Sequence, residues 1–310
     1  MNYPKLQLMQ AFTTKNIPDL DVCVLAALEL FIKEGLPKLN LKKSKRPLVV
    51  GSGNAAATGR IIFEDQDAVF ADEGTYENKL KVIKSIDQVI IISASGSKHA
   101  IEISKKLKRL NPVLLTCNKN APAKQYIDNK NFYVFPKNRE PYTYNTSTYL
   151  SMIFAKTQED PKEILSFLKT KIDPLIPKNL KKFDSFYLLI PVEFDNMREM
   201  ALTKFDELFG PIISGRVFTP EQTKHAKTVV SSKKEFFISF GYPNNNFGYE
   251  NNRLNIPLPK NADYASVISI VYYIIGKIQK QHKPYFKRSI EEYMKKASNI
   301  FSLELKPIVE

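Results

Sequence analysis

Cysteine and histidine are scarce: the 310 residues include two cysteines, Cys23 and Cys117, and three histidines. Two thiols cannot build a disulfide framework or a four-cysteine zinc site. Three histidines without an HExxH arrangement leave little for metal catalysis, so no metal centre is expected. Long apolar runs are missing too. Val89 to Ile92 and Val267 to Ile275 are among the longest, and both are far too short to cross a bilayer. Met1 to Phe12 lacks the positive stretch and apolar run of a secretory leader. A cytoplasmic protein without a membrane partner is expected.

What is present is the composition of a folded protein: 43% apolar, 11% aromatic and 25% charged residues. Disordered and collagen-like chains are excluded. The length suits one large or two medium domains. Lys and Arg number 46 against 32 acids, a net charge of +14. That surplus suits an anionic partner without saying which anion. The lysines are scattered, with short clusters only at Lys42 to Arg46 and Lys277 to Arg288. A nucleic-acid binder concentrates them with aromatics on one element, so solvated lysine faces are the preferred reading.

Apolar periodicity organises the chain. Asp19 to Lys33 reads as a helix, with Val24, Leu25, Leu28 and Ile32 at helical spacing and Asp19 or Asp21 as cap. Strands follow at Leu48 to Val50, Ala68 to Ala71, Val89 to Ile92, Val113 to Thr116 and Phe132 to Phe135. Helices at Ala55 to Glu64, Tyr76 to Ser85 and Lys98 to Leu110 separate the first four. A second series has strands at Phe186 to Ile190, Ile212 to Phe218, Phe236 to Phe240 and Leu254 to Ile256. Its helices are Asn196 to Phe209, Ala262 to Lys280 and Phe286 to Ala297. Continuous apolar strands between amphipathic helices predict α/β halves with sheets covered on both faces. The expected division is an N-terminal helical segment (1–46), a first α/β domain (47–156), a charged, proline-bearing connector (157–182) and a second α/β domain (183–310). Asn244 to Asn246 with Gly248 reads as an exposed turn.

Two turns invite an anion. Gly51-Ser52-Gly53-Asn54-Ala55-Ala56 joins a strand to a helix as G-x-G-x-x-A, and Asp72 ends the next strand, as in dinucleotide-binding units. Glycines are also needed wherever a strand turns sharply into a helix, so both readings stay open. The second turn, Ser93-Ala94-Ser95-Gly96-Ser97, follows the buried strand and opens the helix at Lys98. Three alternating hydroxyls, a glycine and a helix N-terminus suit phosphate, although serines also cap helices routinely.

A strand followed by S-x-S-G-x and a helix resembles the signature of the sugar isomerase (SIS) domain. The run from Glu140 through Thr146 to Tyr149 resembles that family's E-x-x-x-x-x-T-x-x-Y/F segment. The likeness extends over roughly residues 47 to 310, so the chain resembles tandem SIS proteins. It is similar to the isomerase half of glucosamine-6-phosphate synthase, without the glutaminase half that drives amide transfer. It is also similar to archaeal phosphoglucose/phosphomannose isomerase, whose serine loop reads S-Y-S-G-N-T. The resemblance implies two three-layer αβα subdomains with mainly parallel sheets, a sugar phosphate as ligand and a homodimer. It implies no cofactor. Gly51, Ser52, Gly53, Asn54, Ser93, Ser95, Gly96, Ser97, Lys98 and Thr146 would bind substrate or its phosphate.

Aldose–ketose isomerisation opens a ring, moves a proton between C1 and C2 and stabilises an enediolate. A buried carboxylate suits the proton transfer and histidine the ring opening. Glu207, after Lys204, Phe205 and Asp206, resembles the family's K-x-K-E glutamate. His225 resembles its ring-opening histidine, which family dimers supply to the neighbour's site. Lys306 resembles the C-terminal lysine that closes over the open-chain sugar. Taken singly, each reads as an ordinary side chain; their joint order behind the serine loop raises them. His99 and His282 read as structural, although His99 opens the helix beside the serine turn and could contact ligand. Ala55 stands where relatives place serine, Lys98 where they place threonine, and Tyr144 and Asn145 where the synthase has small residues. These departures leave room for an amino-sugar phosphate deaminase or a non-catalytic regulatory module.

Overall fold

Runs of Val, Ile and Leu without polar alternation have to be covered on both faces, and the chain covers them. The computed structural model describes residues 2–42 and 44–310; Lys43, in the first basic cluster, lies outside the described residues. Two compact units are present. The larger comprises residues up to Lys33, Asn138–Ser147 and Glu159–Glu310, and the smaller Glu34–Lys137 and Thr148–Gln158.

Helices α1 (Pro4–Ala11) and α2 (Leu20–Glu34) come first. The buried Glu29 carboxylate of α2 accepts the N–H groups of Lys5 and Leu6, capping α1. The smaller unit then runs β1 (Pro47–Val50), α3 (Asn54–Ile62), β2 (Val69–Ala71), α4 (Tyr76–Val82), β3 (Gln88–Ile92), α5 (His99–Lys106), β4 (Val113–Thr116) and β5 (Phe132–Val134). All five strands are parallel, in the order β2-β1-β3-β4-β5. Leu48, Val50, Val89, Ile91 and Leu114 share one core cluster with Tyr76, Ala100 and Ile103 of α4 and α5. On the other face α3 comes close enough that a Cβ on Gly59 would meet Val49 Cγ1 at 2.7 Å. Each fully buried aliphatic side chain in these layers contributes about 1.5–3 kcal/mol.

After β6 (Glu140–Pro141), α6 (Thr146–Thr157) and α7 (Pro161–Phe167), the larger unit builds its own sheet. Its elements are β7 (Ser185–Leu189), α8 (Arg198–Phe209), β8 (Ser214–Phe218), α9 (Pro220–Lys224), β9 (Glu235–Phe240), β10 (Arg253–Ile256), α10 (Tyr264–Gln281), α11 (Tyr285–Phe301) and β11 (Ile308–Val309). The order β10-β9-β7-β8 is again wholly parallel, and β11 pairs antiparallel with β6. Phe205 of α8 stacks on Phe186 of β7, while Tyr187, Leu189 and Phe237 pack with Phe218 and Tyr242 on the opposite face. Residues between α7 and β7 join this core, with Leu168, Ile172 and Leu180 fully buried. Glu159 accepts the N–H groups of Asp263, Ala265 and Ser266 and so caps α10. The α/β architecture with parallel, doubly covered sheets is as expected.

The turn at Asn244 to Gly248 is exposed at Asn245 and Asn246, as expected, with one exception. Asn244 is not exposed but 5% accessible. Its side chain accepts the N–H groups of Asn246 and Phe247 and donates to the Phe247 carbonyl, which folds the turn around it.

In both sheets the first strand lies in the interior. The chain adds a strand on one side of it and then crosses to the other, reversing its winding between β1 and β3 and between β7 and β9. Crevices outside the carboxyl ends of strands at such reversals are the usual ligand sites of open α/β sheets.

Candidate functional site

The serine turn leaves β3 at the reversal point of the smaller unit. Gly96 is held at φ +60, and a Cβ there would meet Ala121 Cβ at 2.5 Å. Only glycine fits this corner. The Gly96 N–H donates to Ser93 Oγ at 3.2 Å, and Ser95 and Ser97 share a hydroxyl–hydroxyl bond of 2.7 Å. The backbone is pinned by Cys117 N–H to the Ala94 carbonyl (3.1 Å) and Ala123 N–H to the Gly96 carbonyl (3.0 Å). Asn118 Nδ2 adds a bond to the Ser95 carbonyl. The turn is therefore shaped before any ligand arrives, with Ser95 and Lys98 exposed.

Ser93, Ser95, Ser97 and Lys98 line a cavity of about 170 Å³ together with Gly51, Ser52 and His99. The two strand–helix turns have one backbone design. Gly53 before α3 adopts φ +53, ψ −125, and Lys98 before α5 adopts φ +49, ψ −120. Glycine tolerates that conformation, whereas a lysine is strained in it. Gly53 does not line the cavity, and Asn54 is buried with its Oδ1 unpartnered among the described residues. Glu73, beyond β2, faces the same cavity and accepts the Ser52 hydroxyl. Asp72 is engaged locally, accepting Gly74 N–H and the Thr75 hydroxyl, which holds its carboxyl below the ordinary value.

Glu207 belongs to the larger unit. It lies in the last turn of α8, which Gly210 ends at φ +55. The side chain lines a cavity of about 520 Å³ with Thr143, Phe209, Tyr285 and Tyr293. Burial raises its pKa above the usual carboxylate range, against the pull of Lys204. The Lys204 side chain is fully buried and gives Nζ to Glu207 Oε2 at 2.6 Å and to the Thr143 carbonyl at 2.9 Å. Thr143 takes a left-handed φ of +70 and its hydroxyl has no partner among the described residues. A carboxyl with a raised pKa beside a fixed ammonium can pass a proton and steady the resulting anion.

The chain's C-terminal strand reaches the same segment. Ile308 pairs with Pro141, and Tyr142 N–H donates to the Pro307 carbonyl at 2.8 Å. Continued by one residue, this register brings Lys306, itself exposed, to the level of Thr143. Lys306 does not line the Glu207 cavity. His225 does not line the Glu207 cavity; it is exposed at the end of α9. Thr146 is fully buried, its N–H given to Glu140 Oε2 at 2.6 Å. Ser147 N–H binds the other oxygen at 2.8 Å, so the spacing between Glu140 and Thr146 serves as a helix cap.

No protein-family model and no curated protein matches the chain. Solved structures do. Glucosamine-6-phosphate deaminase from Thermotoga maritima aligns over 89% of this chain and 93% of its own, at 15% identity and TM-score 0.61. Tagatose-6-phosphate ketose/aldose isomerase from Escherichia coli aligns over 89% and 91%, at 12% identity and TM-score 0.56. The C-terminal domain of glucosamine-fructose-6-phosphate aminotransferase from Francisella tularensis aligns over 88% and 91%, at 15% identity and TM-score 0.55. The chain shares their fold.

Lys204, named from sequence only as part of the segment before Glu207, and Thr143 and Glu73 were given no role by sequence. Lys204 had a signal, since a lysine three positions before a glutamate on a helix shares its face. Glu73 and Thr143 had none, because only the tertiary fold brings them to these cavities. His282 is built in as expected, its ring nitrogens 2.8 Å and 3.0 Å from the carbonyls of Ile278 and Phe183. His99, at the head of the helix beside the serine turn, lines the serine cavity. No helix among the described residues is long and apolar enough to cross a membrane.

Proposed function

We propose that the chain binds a hexose or amino-hexose 6-phosphate and interconverts its aldose and ketose forms through an enediol. The observation that carries this reading is the serine turn, fixed by its own hydrogen bonds and open to a cavity at the sheet's reversal point. Ser93, Ser95, Ser97 and Lys98 take the phosphate, with hydroxyls as donors and the lysine as a point charge. Gly51, Ser52, Gly53 and Asn54 form the neighbouring wall and its supporting turn. Glu207 moves the proton between C1 and C2. Lys306 steadies the enediolate. His225, exposed and away from the Glu207 cavity, opens the ring in the site of a second copy, which makes the working form a homodimer.

Glu207→Gln separates binding from chemistry. The variant is expected to keep hexose phosphate binding in calorimetry and to lose proton exchange at C2 in heavy water. Undiminished exchange removes Glu207 from the mechanism, and failure of every hexose phosphate to bind the wild type removes the whole reading. Amino-sugar phosphate deamination is the second reading, favoured by the likeness to a deaminase; ammonia release from glucosamine 6-phosphate distinguishes it. A binding-only regulator is favoured by Lys98 and Ala55, and it predicts stabilisation by phosphosugar without exchange.

A further inference from the structure

The larger unit has a reversal point of its own, and a cavity of about 460 Å³ occupies it. The residues just beyond all four strand ends form its wall: Pro191 and Glu193 after β7, Glu221 after β8, Tyr242 after β9 and Leu258 after β10. Gly241, at φ +76, lets the β9 tip close on the β10 loop; a Cβ there would lie 3.0 Å from Leu258 Cδ1. The cavity is thus a product of the same winding that makes the serine cavity. It is also distinct from the Glu207 cavity, whose lining it does not share.

Its chemistry differs from that of the serine turn. Proline at position 191 removes the N–H that a strand-end turn would offer an anion, and Pro220 removes another at the start of α9. Glu193 and Glu221 add negative charge, offset in part by Lys260 on the same wall, so the carboxylates outnumber the cation. Glu221 is already paired with Lys224 at 3.1 Å. The Tyr242 hydroxyl is buried with no partner among the described residues. An unsatisfied buried hydroxyl is costly, and burial together with the nearby Glu221 charge raises the phenol's pKa, keeping the proton on. The walls at Pro191 and Leu258 are apolar. Apolar walls with a carboxylate acceptor and a phenol donor match a molecule with a C–H face and ring hydroxyls.

We propose that this cavity binds an unphosphorylated polyhydroxylated ligand, a neutral sugar or polyol, with its C–H face on Pro191 and Leu258 and its hydroxyls on Glu193 and Tyr242. The site does not rest on the phosphosugar reading, whose serine and Glu207 cavities share none of its lining residues.

Saturation-transfer NMR on the full chain with D-glucose and sorbitol as probes tests it, with titrations giving affinities. At least one probe is expected to bind, and Glu193→Gln and Tyr242→Phe are each expected to weaken it about tenfold. Ser95→Ala/Ser97→Ala is expected to leave that binding unchanged. Glu193 is exposed, so its variant reports on binding without endangering the fold. Binding of neither probe overturns the proposal, as does binding lost in the serine variant or insensitive to both Glu193→Gln and Tyr242→Phe.

Discussion

Lys98 is the residue whose backbone and side chain make opposite demands. At φ +49 and ψ −120 it occupies the corner that Gly53 occupies in the other turn. A side chain in such a sparsely populated region costs about 1–3 kcal/mol. Lys98→Gly removes that strain but loosens the unfolded chain at a cost of about 0.5–1 kcal/mol. The net expectation is a gain on the order of 1 kcal/mol, a rise of a few degrees in melting temperature. The same change deletes the ammonium facing the serine cavity. Loss of a charge-assisted hydrogen bond to phosphate is worth about 1.5–3 kcal/mol, or roughly 10- to 150-fold in affinity. Lys98→Ala is the control: it loses the charge and keeps the strained Cβ. Differential scanning fluorimetry and calorimetry with glucose 6-phosphate should therefore show weaker binding in both variants and greater stability only in the glycine one. A less stable Lys98→Gly refutes the strain argument. Unchanged affinity in both refutes the assignment of Lys98 to the phosphate.

Three other substitutions probe separate parts of the structure. Glu73→Gln removes the carboxylate from the serine cavity, so hexose phosphate affinity should rise about three- to tenfold at low salt; a fall in the titration would mean that Glu73 holds a ligand hydroxyl. Gly96→Ala combines a positive φ with a Cβ 2.5 Å from Ala121 Cβ, and chemical denaturation should show a loss of about 2–4 kcal/mol. Glu207 gives a pH signature. Its folded pKa is raised by burial, so its contribution is full below the unfolded value and lost as pH rises through the folded one. The melting temperature of the wild type minus that of Glu207→Gln should decline from pH ~4 to pH ~7; a difference that grows with pH would contradict the raised pKa.

The sheets were legible because their signal is local. Val89 to Ile92 is apolar without interruption, and such a run in an α/β chain is a buried parallel strand. The structure adds only Gln88 to it. The serine turn was legible for the same reason, since its hydroxyls and its glycine lie within one strand–turn–helix, whereas Cys117, Asn118 and Ala123, which pin its backbone, gave no signal. What escaped was everything made by distant partners. β6 and β11 are two residues each and exist only because Glu140 and Val309 meet across the unit. Glu140 drew notice as part of a spacing pattern, and its burial shows what that spacing does: a carboxylate satisfies two N–H groups at the head of α6. Lys204 would read as a surface lysine by composition, yet its ammonium is fixed between Glu207 and a carbonyl 61 residues away.

Topology alone does not say what a reversal point binds. The two sheets wind alike, and each leaves a cavity beyond its strand ends, but the residues at those ends differ in kind. Beyond β3 come Ser93, Ser95, Gly96 and Ser97, which supply hydroxyls at a glycine corner. Beyond β7 come Pro191 and Glu193, which withhold the N–H and add a negative charge. The first set suits a phosphate better than the second. Ligand preference is thus written in four or five turn residues that the fold tolerates without rearrangement. Sheets with this winding can therefore part in function while keeping their architecture, which is how a chain at 12–15% identity can retain the deaminase's and the isomerase's fold.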